Sequence, residues 1–344
     1  MMVRICSLCG AMVFGQRLRT CLIRSWAGVA LVPMLIQIGC TVDSSHALIG
    51  QDRKVPTSWT VSNGTVELKV DGSVGRVMFY GYKDGRNVLW TNSQPDNPKY
   101  VMGGWTNHGG DKVWPWPQEY WNWPPPEPKG YDIQIHDGGR SLQMTSTPLP
   151  GYRIRIVRLI EMAPKGTKVM FTTYFQPVGN GFDQPLAAWS ITQIPWPERV
   201  LVRMSVRDDR QSHVQSAPAK DDSFLVRILS DSILELGHPG DHSAKTFLDA
   251  DLIACVYDDV LFIQRQLAVP GSDAWKPKQR AQIFFHGKNA GDIPPGSNYG
   301  ELEWTAALAS PHRLGLNPLR ITWNLVQTRQ KLSDSELVSL LEGS

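Results

Sequence analysis

The chain has 344 residues, 42% of them hydrophobic and 19% charged, so it can fill a core and is not disordered by composition. Residues 1–39 carry four basic residues (Arg4, Arg17, Arg19, Arg24) and no acid; setting these aside turns a net charge of +3 into 31 basic against 32 acidic residues. With no basic stripe, heptad pattern, fixed repeat or set of long apolar spans, the sequence excludes a nucleic-acid binder, a coiled coil, a solenoid and a polytopic membrane protein.

Arg17, Arg19 and Arg24 precede an apolar stretch, Ala27 to Ile38, and then Gly39-Cys40. Basic, apolar, then small is the order of an export signal. The stretch is shorter than the roughly 20 residues of a spanning helix. Gly39-Cys40 is similar to a bacterial lipobox, although Gln37 stands where an aliphatic residue is usual. Residues 1–39 are thus expected to be a signal peptide with translation starting at Met1 or Met12, Cys40 a lipidated first mature residue, and 40–55 a polar tether. That places the protein at the bacterial cell envelope, held to the membrane through a lipid anchor. Simple secretion and an uncleaved anchor are the alternatives. Cys6-Ser7-Leu8-Cys9 lies upstream of the apolar stretch with no strand-helix context, so no redox or zinc role is expected of it. After Cys40 only Cys255 remains, in the apolar run Leu252–Tyr257, and reads as a buried free thiol.

Thirteen Trp, 30 Gly and 25 Pro favour strands and turns over long helices. From Trp59 onward strands follow one another. Val66, Leu68 and Val70 alternate with Glu67 and Lys69 before an Asp71-Gly72 turn; Arg76–Tyr82 is next, and Asp84-Gly85 turns into Asn87–Trp90. Further strands are expected at Arg153–Glu161, Lys168–Gln176, Ser232–Leu236, Leu252–Tyr257, Val260–Leu267, Gln279–His286, Tyr299–Ala307 and Leu319–Val326, with Asp258-Asp259 as a tight hairpin turn. The basic run Arg199–Arg210, mixed with acids, reads as a solvated strand or loop. The one persuasive helix is the tail, 331–344, where Ser333 caps, Glu336 sits three residues on, and Leu337, Leu340 and Leu341 share a face. No linker divides residues 56–330, which read as one antiparallel β domain.

Gly103 to Gly130 (GGWTNHGGDKVWPWPQEYWNWPPPEPKG) is unlike the rest. Its prolines and glycines exclude a regular strand or helix, and its five tryptophans (Trp105, Trp114, Trp116, Trp121, Trp123) are stiffened by proline. Flat indole faces suit the C–H face of a sugar, with His108, Lys112, Gln118 and Asn122 as hydroxyl partners. The other reading is a loop folded over the sheet as a plug, with the tryptophans as its small core.

Val66–Trp90 (VELKVDGSVGRVMFYGYKDGRNVLW) resembles the opening of galactose-mutarotase-like domains. His108-Gly109-Gly110 followed by Val113-Trp114-Pro115 is similar to a segment of aldose 1-epimerases and hexose-phosphate epimerases. The Trp/Pro motif, Pro185–Thr192 (PLAAWSIT) and Glu301-Leu302-Glu303 together most resemble a bacterial domain-of-unknown-function family in that superfamily. The resemblance implies an all-β supersandwich of two large antiparallel sheets with a sugar site on the concave one, and carbohydrate as partner. It implies no cofactor and says nothing of oligomeric state. The same sandwich hosts epimerases, lyase domains and pure binders.

Mutarotation needs a base for the C1 hydroxyl and an acid for the ring oxygen, on opposite sides of one sugar. Leu302-Glu303 matches the epimerases' base motif. Strand alternation puts Tyr299, Glu301, Glu303 and Thr305 on one face, either a solvated outer face or the floor of a site. Where hexose-phosphate epimerases have a catalytic His, this chain has Trp189. Indole N–H has neither an exchangeable proton near neutral pH nor an acceptor lone pair. His108 is the stand-in acid if catalysis occurs. The expected binding set is Trp105, Lys112, Trp114, Gln118, Trp121, Trp189, Tyr299 and Glu301, with Glu303 and His108 as the catalytic pair. Three functions follow: a carbohydrate-binding or carbohydrate-processing lipoprotein, a sugar 1-epimerase, or a structural partner-binding protein. His238-Pro-Gly-Asp241-His242 reads as a turn rather than a metal site.

Overall fold

The structure is a computed structural model that describes residues 57–205, 214–216, 224–237, 243–269, 280–287 and 298–344. The signal, tether, Cys40 and His238–His242 readings lie outside the described residues.

Strands β1 (Ser58–Ser62), β2 (Val66–Asp71) and β3 (Arg76–Tyr82) form a meander. A short hairpin of β4 (Val101–Met102) and β5 (Trp105–Thr106) precedes β6 (Asp111–Trp116). A second meander runs through β7 (Tyr131–His136), β8 (Ser141–Ser146), β9 (Ile154–Met162) and β10 (Val169–Pro177). Then come β11 (Ala187–Pro195), β12 (Arg199–Met204), β13 (Val214–Ser216), β14 (Leu225–Ile228) and β15 (Ile233–Gly237). The chain continues through β16 (Ala244–Leu248), β17 (Ala250–Val256), β18 (Val260–Gln266), β19 (Ala281–Phe285), β20 (Tyr299–Thr305) and β21 (Leu319–Gln327), and ends in α1 (Asp334–Glu342).

These strands make a nine-stranded sheet, β1-β2-β3-β6-β11-β20-β19-β16-β13, and a ten-stranded sheet, β14-β15-β12-β17-β18-β21-β10-β9-β8-β7. The pairings within both are antiparallel, and one apolar core of residues from both sheets lies between them. The fold is the all-β, two-sheet supersandwich that the resemblance implies. Helix α1 has the expected Ser333–Glu336 capping box and buries Leu337 and Leu341 against Leu201, Leu252 and Ile263 on the outer face of the ten-stranded sheet. Cys255 is a buried free thiol, and burial pushes it far up from the ordinary thiol range.

Three expectations are corrected. Asn87–Trp90 is not a strand. Arg199–Met204 is not solvated: it is an interior strand with Val200, Leu201 and Val202 buried, and its arginines pair with Glu235 and Asp251. The Trp/Pro segment contains a strand after all. Pro115 sits in β6 opposite Ala188, at a position whose nitrogen points away from β11. On that other side β3 pairs with β6 only at Val77–Asp111, so the missing N–H breaks no ladder bond.

Candidate functional site

The site builds outward from β20. Leu302 and Trp304 point into the inter-sheet core, which sends Glu301 and Glu303 to the opposite face of the nine-stranded sheet. That face is covered: Glu303 is fully buried, and the Glu301 side chain is only 15% exposed. Register then decides the neighbours. On β11, Gln193 lies opposite Glu301 and Ile191 opposite Glu303. On β19, Gln282 lies opposite Glu303. Lys112 on β6 and Lys245 on β16 reach in from either side.

Each carboxylate therefore has one ammonium partner and one neutral donor. Lys112 Nζ lies 3.2 Å from Glu301 Oε1, and Gln193 Nε2 donates to the same oxygen at 2.8 Å. Lys245 Nζ donates to Glu303 Oε2 at 3.0 Å, and Trp189 Nε1 donates to that oxygen at 2.9 Å. Burial pushes the Glu303 carboxyl above the usual carboxylate range; the Lys245 charge opposes this, and Glu301 adds to it. Burial likewise draws Lys112 below the usual ammonium range, against the pull of Glu301.

The hydrogen bonding on this face is incomplete. Both carboxamide atoms of the buried Gln282, the Oε1 of Gln193 and the Nε1 of Trp105 have no partner. Glu303 Oε1 lies 2.9 Å from Lys245 Nζ but outside hydrogen-bond geometry. Buried polar atoms are nearly always paired, and each unpaired one costs about 1–3 kcal/mol. A mixed set of unpaired donors and acceptors is the complement of a hydroxyl-rich ligand, since each hydroxyl both gives and takes.

The tryptophans sit beside this floor. Trp114 lies opposite Trp189 across β6 and β11. Trp114 is the hub of a packed group, meeting Trp105, Trp121 and Trp189 edge to face at 5.8, 5.7 and 5.8 Å. Trp105 and Trp114 are each 7% exposed, so neighbouring rings and Lys112 occupy their faces. Lys245 lies over the Trp189 ring. Trp121 is half-buried, its Nε1 donating to the Pro115 carbonyl.

The other expected residues fall elsewhere. Gln118 is exposed on a single 3₁₀ turn, Gln118–Tyr120. Tyr299 is buried at the start of β20, stacked against His286 and in tilted contact with Trp90, at 4.7 Å each. His108 is half-buried beside Gly109 and Gly110, where a Cβ on Gly110 would collide with the Val77 carbonyl. Burial draws His108 below the usual imidazole range. The strongest charges acting on it are those of Arg76, Glu127, Asp71 and Asp96, not those of Glu301 or Glu303. Arg76 is itself committed, donating to Glu127 and to the Gly109 carbonyl.

Gln193, Lys245 and Gln282 are site residues that the sequence did not single out. Among the described residues no cluster of three or more His, Cys, Asp or Glu could hold a metal ion. A cleft of about 630 Å³ lies beside α1, lined by Arg203, Asp251, Arg265 and Ser344. Its Arg203 is held by Asp251 and the Leu341 carbonyl and its Arg265 by the Ser344 main-chain oxygen, with Arg265 Nε left without a hydrogen-bond partner.

No family model and no curated protein matches the sequence. Solved structures similar to it include a candidate aldose 1-epimerase from Escherichia coli K12 (11% identity, TM-score 0.45), with 79% of this chain and 99% of that one covered. Another is a galactose mutarotase related enzyme from Lactobacillus acidophilus (9% identity, TM-score 0.42), covering 80% of this chain and all of that one. A third is an α-galactosidase from Geobacillus stearothermophilus in complex with stachyose (8% identity, TM-score 0.39), covering 80% and 41%. Such identities leave the chemistry to this chain's own residues.

Proposed function

We propose that this protein binds carbohydrate on the outer face of its nine-stranded sheet, without isomerising it, and does so as a lipid-anchored protein of the bacterial cell envelope. The observation that carries the binding reading is the set of unpaired polar atoms around Glu303, next to an indole-rich wall. Glu303 serves as a hydroxyl acceptor.

Two distances speak against 1-epimerisation. The position that would supply the acid is Trp189, and its N–H is bonded to the would-be base at 2.9 Å. Of the other proton donors, Lys245 touches the same carboxylate at 2.9 Å, Lys112 is paired with Glu301, and His108 stands among the charges of Arg76 and Glu127. An acid and a base in direct contact cannot stand on opposite sides of a sugar ring. General acid catalysis is worth about 10²–10⁴-fold, so anomer exchange is expected to stay near its spontaneous rate.

The edge-to-face packing of the tryptophans favours a second reading, in which they are only a plug. Titration with soluble glycans separates the two. Binding next to Trp189 shifts or quenches tryptophan fluorescence, and a spectrum unmoved by any glycan supports the plug.

The envelope reading rests on the charge order of residues 1–39 and on Gly39-Cys40. Cys40→Ser is expected to abolish acylation and release the protein from the membrane fraction. Equal membrane association and processing of the variant would contradict it.

A further inference from the structure

The large apolar side chains exposed near the site are Trp123, Tyr120 and Val101, at 47%, 41% and 38%. Trp123 is not loose. Its Nε1 donates to the Met102 carbonyl at 3.2 Å. Its ring meets Trp105 at 5.0 Å and Trp114 at 6.4 Å, both edge to face. Gly103, at a φ of +57°, brings the β4–β5 turn against the indole, where a Cβ would stand 3.4 Å from Trp123 Cδ1. Pro124, Pro125 and Pro126 follow and fix the backbone φ. An indole held this firmly has little rotamer freedom left to lose when a ligand covers it. Its exposed half offers roughly 100 Å² of apolar surface to water.

Trp123 is also continuous with the floor. It meets Trp114 at 6.4 Å, Trp114 meets Trp189 at 5.8 Å, and Trp189 donates to Glu303. The ring-to-ring steps from Trp123 through Trp114 to Trp189 together exceed the width of a single pyranose ring. The charges of the floor are balanced, Lys112 by Glu301 and Lys245 by Glu303, which suits a neutral chain over it.

We infer that Trp123 is an outer stacking position for a further sugar unit, so that the ligand is a neutral oligosaccharide or glycan chain and not a free monosaccharide. The inference rests on the carbohydrate reading above. Apolar stacking supplies the affinity at the rim, and the polar atoms around Glu303 supply orientation at the inner end.

The test is isothermal titration calorimetry with neutral linear gluco-, manno- and galacto-oligosaccharides, from monosaccharide to hexasaccharide. Wild-type protein, Trp123→Ala and Trp123→Phe are compared, with thermal melts confirming that each variant folds. Affinity is expected to rise with chain length and then level off. Trp123→Ala should weaken the longer members at least about fivefold and leave the monosaccharide unchanged. Trp123→Phe should recover part of the loss. Equal affinity for monosaccharide and hexasaccharide, or an equal loss for both in Trp123→Ala, overturns the inference and leaves the carbohydrate reading standing. Absence of binding by every member of the panel overturns both.

Discussion

Two buried carboxylates, each in an ion pair, lie on opposite faces of the same sheet, and they differ in what surrounds them. Asp111 faces the inter-sheet core. One of its oxygens takes Arg158, and the other takes Ser190 Oγ at 2.9 Å and Thr192 Oγ1 at 2.8 Å. The network continues from Thr192 to Gln264 and from Gln264 to Trp304 Nε1, tying the sheets together. Glu303 faces the other way. One of its oxygens, its neighbour Gln282 and the nearby Gln193 Oε1 are left with bonding capacity unused. A buried carboxylate that serves the fold has its acceptors filled from within, and here the one unpaired atom is the Nε of Arg158. A carboxylate that serves a ligand keeps some open, at a cost to stability.

The comparison can be broken at either end. The largest effect is expected at Asp111. Asp111→Ala strands Arg158 as an uncompensated buried charge, so unfolding free energy in urea should fall by about 3–5 kcal/mol. A loss under about 1 kcal/mol would mean that this pair does not hold the sheets together. The smaller effect is at Gln282 and has the opposite sign. Gln282→Leu removes a buried carboxamide with no partners, so stability should stay level or rise by up to about 1–3 kcal/mol. Glycan affinity should fall about tenfold through the lost hydroxyl contacts. Marked destabilisation with affinity intact would move Gln282 from the site to the scaffold.

Much of the fold was legible because strand alternation is local. Val66–Val70, Arg76–Tyr82, the Asp258-Asp259 hairpin and the Ser333 cap all announce themselves within a few residues. The alternation of Tyr299–Thr305 likewise put Glu301 and Glu303 together. Their partners were not legible. Lys245 and Gln282 reach Glu303 through the β16-β19-β20 order, and nothing near either residue encodes that register. Strand β6 was hidden for another reason. Its prolines read as breakers, and only the early end of β3 leaves Pro115 a side where no N–H is needed. The Trp segment leaves two readings open in sequence, indole faces free for a sugar or packed as a small core, and Trp105 and Trp114 follow the second, spending their faces on one another and on Lys112.

The central claim is that Glu303 accepts hydroxyls and does not take protons from them. Proton NMR of freshly dissolved α-anomers of neutral reducing sugars, with protein present, reads both properties in one sample. The account predicts saturation transfer from protein to sugar, lost in Glu303→Gln, with anomer interconversion no faster than in buffer. Rapid interconversion that disappears in Glu303→Gln would contradict it and make Glu303 a catalytic base.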